Sequence, residues 1–165
     1  MKKEEWITLL VERYEKPLCS YAFSLLHDLD RARDAVQDTF LRLCRQKPSK
    51  LEGHEAQWLF RVCRNRTLDI LRKETPMNPM SSPQEAALPS GSPAPDQQAA
   101  RQDFKDLLPR LLSSLPEKQQ EVIRLKFQQH LSYREIAHCT RLSESNVGWL
   151  LHTGIKTLRE QMANL

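Results

Sequence analysis

The sequence predicts an all-α protein made of two small helical domains, an N-terminal helical bundle and a C-terminal helix-turn-helix unit, joined by a proline-rich linker. Three observations support this fold class. Apolar residues recur at spacings of three and four along most of the 165-residue chain, which is the period of an amphipathic helix. No segment alternates apolar and polar residues as a half-buried strand would. Between the helical stretches lies a segment so rich in proline that it opposes both helix and sheet.

The N-terminal domain, residues 1–73, contains three predicted helices. The first carries an apolar repeat from Trp6 to Leu26, and Pro17 is expected to kink it or to start a new first turn within it. Asp30 is the expected N-cap of the second helix, because its carboxylate can accept a hydrogen bond from a free backbone N–H. The second helix, the following loop and the third helix are expected at residues 31–46, 47–54 and 55–73.

The linker is expected at residues 74–103, which contain six prolines with serine and glycine between them. Such a composition predicts a flexible, partly extended tether. The C-terminal domain then covers residues 104–165, where Ser132 and Glu135 have the spacing of a capping box and Ser143 is the expected cap of the last helix. Four helices are expected there, at residues 104–113, 116–128, 133–139 and 144–162.

The last two helices have helix-turn-helix proportions, with a short turn at residues 140–143. In such a unit the second helix lies in the major groove with its N-terminal residues nearest the bases. A plain helical hairpin would give the same pattern. The residues expected to pack the two helices together are Ile136, Ala137, Leu142, Val147 and Leu151.

The composition favours a polyanionic partner and disfavours several other classes. The net charge is +4, with 15 basic and 11 acidic residues in residues 1–73 and 9 and 7 in residues 103–165. No apolar run reaches the roughly 18 residues of a membrane span, and the start MKKEEW lacks the apolar core of a signal peptide, so we expect a cytoplasmic protein. No CxxC pair occurs, so the cysteines are expected to be small buried hydrophobes and no metal site is predicted. They are Cys19, Cys44, Cys63 and Cys139.

Four stretches carry a family resemblance. The words AVQDTFLRL (35–43) and WLFRVCRNRTLDILRK (58–73) are similar to sigma region 2. The words LPEKQQEVIRLKF (115–127) and LSYREIAHCTRLSESNVGWLLHTGIKTLRE (131–160) are similar to sigma region 4. Together, in this order around a linker, they resemble the extracytoplasmic-function (ECF) group of RNA polymerase sigma factors. The resemblance implies a protein that binds RNA polymerase core and directs promoter-specific initiation by reading the minus-10 and minus-35 elements.

The resemblance assigns the polymerase contact to the second helix. In the family an Asp-x-x-Gln-Asp pattern of region 2 docks on the coiled coil of the β′ subunit, and here the matching residues are Asp34, Gln37 and Asp38. Spacings of three and four place them on one helix face. An ordinary solvated face would have the same composition.

The third helix resembles the family's surface for minus-10 recognition and promoter melting. It interleaves Trp58 and Phe60 with basic residues, and basic side chains hold phosphates while aromatic rings stack on unpaired bases. The loop at residues 49–55 matches the family position that captures an extruded base. Trp58 is equally expected as a core residue, because a large aromatic at helical spacing often is one. The predicted minus-10 residues are Trp58, Arg61, Arg64, Asn65, Arg66 and Asp69.

The predicted recognition helix departs from the family pattern. Several cations normally follow the valine that corresponds to Val147, but residues 148–156 contain only Lys156. Phosphate anchoring and salt dependence should therefore be weak for this domain. As an alternative, Trp149 and Leu150 bury against another protein surface. The predicted minus-35 residues are Ser145, Asn146, Trp149, His152, Thr153 and Lys156.

Other functions fit the sequence less well. No glycine-rich phosphate loop and no arrangement of nucleophile and base occurs, so neither an enzyme nor a cofactor is predicted. A helix-turn-helix regulator acting alone explains only the second half of the chain. A sigma-like protein that binds a partner without initiating transcription is kept as the alternative, because the recognition helix is poor in cations. The resemblance also allows an anti-sigma partner, which the sequence itself does not reveal.

Overall fold

The structure, a computed structural model, describes residues 2–74 and 100–165, with side chains for 2–74 and 107–165. Most of the predicted linker, together with the flexibility expected of it, lies outside the described residues. Within the described ranges the chain forms helices and no strand, which confirms the predicted all-α class. The helices are α1 (Lys3–Leu26), α2 (Leu29–Leu43), α3 (Pro48–Leu51), α4 (Glu55–Glu74), α5 (Ala100–Ser113), α6 (Glu117–Ile123), α7 (Tyr133–Thr140) and α8 (Glu144–Ala163).

Helix α1 is continuous, and Pro17 lies inside it without starting a new helix. Proline removes one backbone hydrogen bond and crowds the preceding turn. The helix continues because Leu18, Tyr21 and Ala22, which follow the proline, are almost completely buried. Tertiary packing thus outweighs the local cost of Pro17.

The start of α2 corrects the predicted cap. Asp28, not Asp30, is the N-cap, and its Oδ1 accepts a hydrogen bond from the Arg31 N–H at 3.2 Å. The reason is that α1 ends at His27 in the left-handed conformation (φ 55°), so the chain turns immediately before Asp28. Helix α2 ends at Leu43, which leaves Cys44 exposed rather than buried as expected.

The N-terminal bundle is built from α1, α2 and α4, which pack against one another. The predicted loop after α2 contains the short helix α3, whose Leu51 is buried in the common core. Gly53 follows with φ 81°, a conformation that favours glycine. Helix α4 covers the predicted range and extends it by one residue, to Glu74.

Two helix starts in the C-terminal domain differ from prediction. Helix α5 begins at Ala100, four residues before the expected start and inside the predicted linker. Pro116 takes the N-cap position of α6 rather than its first turn. A π-helical turn, Arg124–Gln128, extends α6 to the predicted end of that helix.

The helix-turn-helix unit has the caps that the sequence predicts. Ser132 and Glu135 form a reciprocal capping box at the start of α7, and the Ser143 hydroxyl accepts a hydrogen bond from the Asn146 N–H at 3.0 Å. Arg141 turns the chain between α7 and α8 in the left-handed conformation. The packing residues Ile136, Val147 and Leu151 are buried, as predicted, while Ala137 and Leu142 lie partly buried against them.

The two domains also pack against each other. Helix α4 of the N-terminal bundle contacts α7 of the C-terminal domain, and buried residues of both halves form one continuous core cluster. The sequence pattern does not predict this contact, which places several candidate DNA-binding side chains against the other domain.

Candidate nucleic-acid and polymerase interfaces

The three candidate polymerase-binding residues share one face of α2. Asp34 and Gln37 are exposed there, while Asp38 is partly buried. The opposite face fixes the helix, since its apolar residues and Thr39 are buried in the bundle. Asp34 and Gln37 are therefore accessible to a partner, while Asp38 is accessible only in part.

Asp38 already has cationic neighbours within the chain. Its Oδ2 lies 3.3 Å from Nε of Arg66 on α4 and 3.5 Å from Nε of Arg42, one turn further along α2. The Arg66 Nε is buried and is not aligned for a hydrogen bond, so the contact with Asp38 is an attraction between charges. Arg66 and Asp38, assigned by the sequence to two different partners, therefore meet in one ion pair.

The two aromatic residues of α4 have different surroundings. Phe60 is buried and packs edge to face on Tyr21, with ring centroids 5.5 Å apart. It is a core residue, and the expectation that it stacks on DNA bases is wrong, because the apolar face of α4 includes it. Trp58 is partly buried against the same core and keeps part of its surface accessible.

Arg64 of α4 is bound to the C-terminal domain rather than free. Its Nε and Nη2 donate hydrogen bonds to Oε2 and Oε1 of Glu121 on α6, at 2.6 and 3.2 Å. The hydroxyl of Tyr21 on α1 donates to the same Oε2 at 2.5 Å. Only 20% of the Arg64 side chain and 11% of the Glu121 side chain are exposed.

The surroundings of this network change the acidities of its members. Burial raises the pKa of Tyr21 well above its usual value, and the neighbouring Cys139 and Glu121 raise it further. Burial would lower the pKa of Arg64, but the hydrogen bond and the charge of Glu121 outweigh it and raise that pKa. Burial also raises the pKa of the Cys139 thiol to about 12. Tyr21 therefore remains a hydrogen-bond donor, Arg64 remains charged and Cys139 remains a thiol.

A second contact across the domains involves Arg61. Its Nη1 lies 3.3 Å from Nε2 of His138 on α7. Burial, followed by the charges of Arg61 and His54, lowers the pKa of His138. Because arginine can only donate, Nε2 of a neutral His138 accepts this hydrogen bond. Of the other candidate minus-10 residues, Asn65 is partly buried, and Asp69 is exposed with a carboxylate oxygen 3.7 Å from Arg72.

The recognition helix α8 presents most of its candidate residues to solvent. Ser145, Asn146, His152 and Lys156 are exposed, and Trp149 is 60% exposed. In contrast, the Thr153 hydroxyl donates to the Trp149 carbonyl at 2.9 Å and accepts from Gln119 of α6 at 3.1 Å. Thr153 thus helps to fix α8 on α6.

Leu150 and Trp149 do not form a common apolar surface. Leu150 is buried in the chain's own core, whereas Trp149 points out of it. Burial of both residues against another protein is therefore not an option for this packing. Trp149 alone remains available to a base or to a partner.

Two exposed arginines beside the recognition helix were missed by the sequence analysis. Arg134 lies in the first turn of α7 and Arg141 in the turn before α8. In helix-turn-helix proteins the first helix crosses the DNA backbone, so this rule could have identified both. They place two cations beside α8, which itself carries Lys156 and Arg159.

No helix in the described ranges is long and apolar enough to cross a membrane. The described residues also contain no group of three or more His, Cys, Asp or Glu side chains arranged to hold a metal ion.

Comparisons with known families match both halves of the chain. Residues 10–76 match the family described as sigma-70 region 2, and residues 105–158 match the one described as sigma-70, region 4. The two matches flank the predicted linker and contain all the candidate residues named above.

Curated relatives match over nearly the whole chain. The chain is 28% identical over 165 residues to RNA polymerase sigma factor YlaC of Bacillus subtilis, covering 98% of this chain and 95% of the relative. It is 30% identical to ECF RNA polymerase sigma factor SigL of Mycobacterium tuberculosis, covering 94% and 88%. It is 27% identical to ECF RNA polymerase sigma factor SigM of Bacillus subtilis, covering 83% of each.

Two solved structures share the fold. The sigma factor RpoE of Bartonella quintana, solved in complex with the anti-sigma factor NepR, aligns with a TM-score of 0.67 and 23% identity, over 94% of this chain and 96% of that one. CnrH, solved in complex with the cytosolic domain of CnrY, aligns with a TM-score of 0.65 and 21% identity, over 98% and 90%.

Proposed function

The chain belongs to the ECF group of the sigma-70 family of RNA polymerase sigma factors, and from this premise we propose how its helices divide the work of transcription initiation. It is a sigma factor that binds RNA polymerase and promoter DNA to direct initiation. We infer that it has no catalytic activity of its own and that it acts in the cytoplasm, where polymerase transcribes.

Helix α2 is the proposed polymerase-docking element. Its exposed Asp34 and Gln37, with Asp38 beside them, form an acidic-polar strip suited to a basic helical surface such as the β′ coiled coil. The buried opposite face holds the strip in place, so docking requires no rearrangement of the bundle.

Helix α4 is the proposed minus-10 element. Arg61, Arg64 and Arg66 are the cations proposed for phosphates, and each would exchange its contact within the chain for DNA. The accessible part of Trp58 offers a ring for an unpaired base. Asn65 and Asp69 supply hydrogen-bonding groups on the same helix. The preceding loop, residues 49–55, is the proposed site for an extruded base.

Helix α8 is the proposed minus-35 element. Ser143 caps it, and Ser145, Asn146, Trp149 and His152 lie exposed along its N-terminal half. Lys156 is the candidate cation for phosphate, and Thr153 supports the helix from the α6 side. The minus-35 assignment depends on one observation. These side chains are exposed on a helix whose N-terminus is capped and whose opposite face is buried.

An anti-sigma protein is the proposed regulatory partner. Both RpoE and CnrH were solved with proteins bound to them, and for RpoE that protein is named as an anti-sigma factor. The chain shares their fold over more than nine-tenths of its length, so it offers a comparable surface.

In vitro transcription with core polymerase and a library of promoters tests the proposed function. We expect promoter-specific transcripts only when both core and this chain are present. Tight promoter binding without core, and no transcript with it, would instead support a sigma-like regulator that does not initiate. The scarcity of cations in residues 148–156, where Lys156 stands alone, is the feature that favours this second candidate.

A further inference from the structure

Three basic side chains meet where α4 packs on α7. Arg61 lies on α4, His54 immediately precedes α4, and His138 lies on α7 of the other domain. We propose that these three residues, here named the basic cluster, make the contact between the two domains sensitive to pH, so that protonation of His138 weakens it. The proposal concerns the free chain and is independent of the proposed function.

With a neutral His138, the basic cluster contains one hydrogen bond between the domains. Nη1 of Arg61 lies 3.3 Å from Nε2 of His138. A guanidinium has five N–H donors and no acceptor, so Nε2 accepts this hydrogen bond only while it carries no proton. The contact therefore favours the neutral imidazole that keeps its proton on Nδ1.

Protonation of His138 turns this attraction into a repulsion. An imidazolium donates from both ring nitrogens, so the hydrogen bond from Arg61 is lost and two cations face each other across 3.3 Å. His54 adds to the repulsion, because its charge also acts on His138. Since histidine changes its charge near neutral pH, a modest acidification is enough to cause this change.

The carboxylates closest to α7 are engaged elsewhere. Glu135, on α7 itself, accepts a hydrogen bond from the Ser132 N–H at 2.8 Å. Glu121 of α6 is bound to Arg64, and Glu55, in the first turn of α4, acts on a tyrosine of α1. These carboxylates therefore do not offset a positive charge on the imidazole of the basic cluster.

The other elements around α7 do not change the charge balance at His138. The buried face of α8 consists of uncharged residues. In the π-helical turn, burial lowers the pKa of Arg124, and Nζ of Lys126 lies over the ring of Tyr133, 5.2 Å from its centroid. Arg134, one turn before His138 on α7, is exposed to solvent. The charges that act on His138 are thus those of the basic cluster.

The direction of the pH dependence follows from this arrangement. Burial lowers the pKa of His138, and the charges of Arg61 and His54 lower it further. When the domains separate, the imidazole regains an ordinary pKa of about 6.5 and binds a proton more readily than in the contact. The contact is therefore at full strength above about pH 6.5 and weakens as the pH falls through the lowered pKa of His138.

Cysteine labelling of the full-length chain at two pH values tests the proposal. Cys139, next to His138, is buried at the contact, whereas Cys63 is buried against Thr39 inside the bundle. Burial raises the pKa of both thiols to about 12, so acidification lowers their thiolate fractions equally. The ratio of the Cys139 rate to the Cys63 rate therefore reports the strength of the contact.

We expect this ratio, measured with N-ethylmaleimide and mass spectrometry, to rise about three- to tenfold from about pH 7.5 to about pH 5.5, the range when the contact weakens proton binding up to about tenfold. His138→Gln should abolish the rise, because the amide oxygen accepts a hydrogen bond from Arg61 and stays neutral at every pH. The matched control is His130→Asn, which removes another exposed imidazole of the same domain. Asparagine tolerates the left-handed conformation at that position (φ 59°), so this variant should keep the rise.

A constant ratio in the wild type, or an equal rise in His138→Gln, would overturn the proposal. A second measurement follows the imidazole of His138 directly by NMR. Its titration midpoint should be lower than in the urea-unfolded chain, and Arg61→Gln should raise it. A midpoint that Arg61→Gln does not change would overturn the role of the basic cluster. Because neither measurement requires polymerase or DNA, both results are independent of whether the chain initiates transcription.

Discussion

The Asp38 carboxylate lies between Arg42 and Arg66, so changing it alters the bundle as well as the proposed polymerase surface. Asp34 is exposed on the same helix face, so its substitution tests the polymerase surface with less effect on the bundle. We expect Asp34→Arg to weaken binding to core polymerase by placing a cation against a cationic partner. Its free energy of unfolding should stay within about 0.5 kcal/mol of the wild type, as for most surface substitutions.

Asp38→Arg should weaken core binding too, and it should also lower the free energy of unfolding by about 1 kcal/mol through the lost ion pairs and the repulsion of Arg66. Core binding is measured by a pull-down, and stability by chemical denaturation of the free chain. Unchanged affinity of both variants for core would remove α2 from the proposed polymerase interface.

Asn146 and Trp149 are the residues of α8 from which the largest effects on promoter choice are expected. Asn146→Ala should cost about 1–3 kcal/mol against the preferred base and relax specificity there. Trp149→Ala should weaken promoter binding with little change in stability, because the side chain is 60% exposed. Affinity of the holoenzyme for a set of minus-35 variants gives both results, with the exposed Glu160→Ala on the same helix as control.

If neither substitution changes promoter choice, α8 does not read bases in the proposed way. An earlier melting of Trp149→Ala would indicate instead that the ring packs on protein.

At the scale of single residues, the sequence predicts features that depend on near neighbours. The caps Ser132 and Ser143 were predicted correctly, because a cap and its N–H lie within three residues of each other. Asp28 and Asp30 are both residue types that cap helix N-termini, and the choice between them depends on where α1 ends. Phe60 was assigned to DNA because it alternates with arginines, while its contact with Tyr21 lies almost 40 positions away along the chain.

At the scale of helices, Gly154 sets the distance between α6 and α8. A Cβ placed there would lie 2.9 Å from Ile123 Cδ1 and 3.4 Å from Gln119 Cβ. Gly154→Ala should be nearly neutral, because the flexible end of Ile123 can shift and alanine gains about 1 kcal/mol in helix propensity over glycine. Gly154→Leu has no such space and should lower the free energy of unfolding by about 1–3 kcal/mol.

Thermal unfolding of the two Gly154 variants measures this difference, and Gly148→Leu is the control. Gly148 meets only the ring edge of the exposed Tyr133, at 3.5 Å, so a side chain there has room to point outward. Equal stability of Gly154→Leu and the wild type would mean that α6 and α8 do not pack as closely as described.

Helix positions were predictable because periodicity spans a whole helix and averages over single residues. Six of the seven expected helices overlap their observed bounds closely, whereas α5 starts four residues early and α3 was expected to be loop. A four-residue helix such as α3 is too short to show a period. Its stability derives from burial of Leu51, which only the folded bundle provides.

At the scale of the whole molecule, the contact between the domains was not predictable from the pattern. Its residues have ordinary local interpretations: Tyr21 continues an apolar stripe, Arg64 belongs to a basic helix and Glu121 to a polar one. Arg64 and Glu121 lie 57 positions apart in the chain, and only folding brings them into contact. A buried ion pair between domains leaves no periodic signal in either of the helices that form it.

Arg64 is bound to Glu121 in the free chain and is a proposed phosphate contact in the open promoter complex, so its substitution should act differently in the two states. In the free chain Arg64→Ala leaves Glu121 partly buried without its cation, and we expect a loss of about 2 kcal/mol, below the 3–5 kcal/mol typical of fully buried pairs because Arg64 retains some exposure. Combined with Glu121→Ala, it should show a coupling of about 1–3 kcal/mol in chemical denaturation. In the open complex Arg64 contacts phosphate instead, so Glu121→Ala should leave promoter melting unchanged while Arg64→Ala lowers it, more steeply at higher salt. Permanganate reactivity of the melted strand measures this second cycle. A coupling between Arg64 and Glu121 of the same size in both states would mean that Arg64 keeps its contact with Glu121 on the promoter and does not contact phosphate.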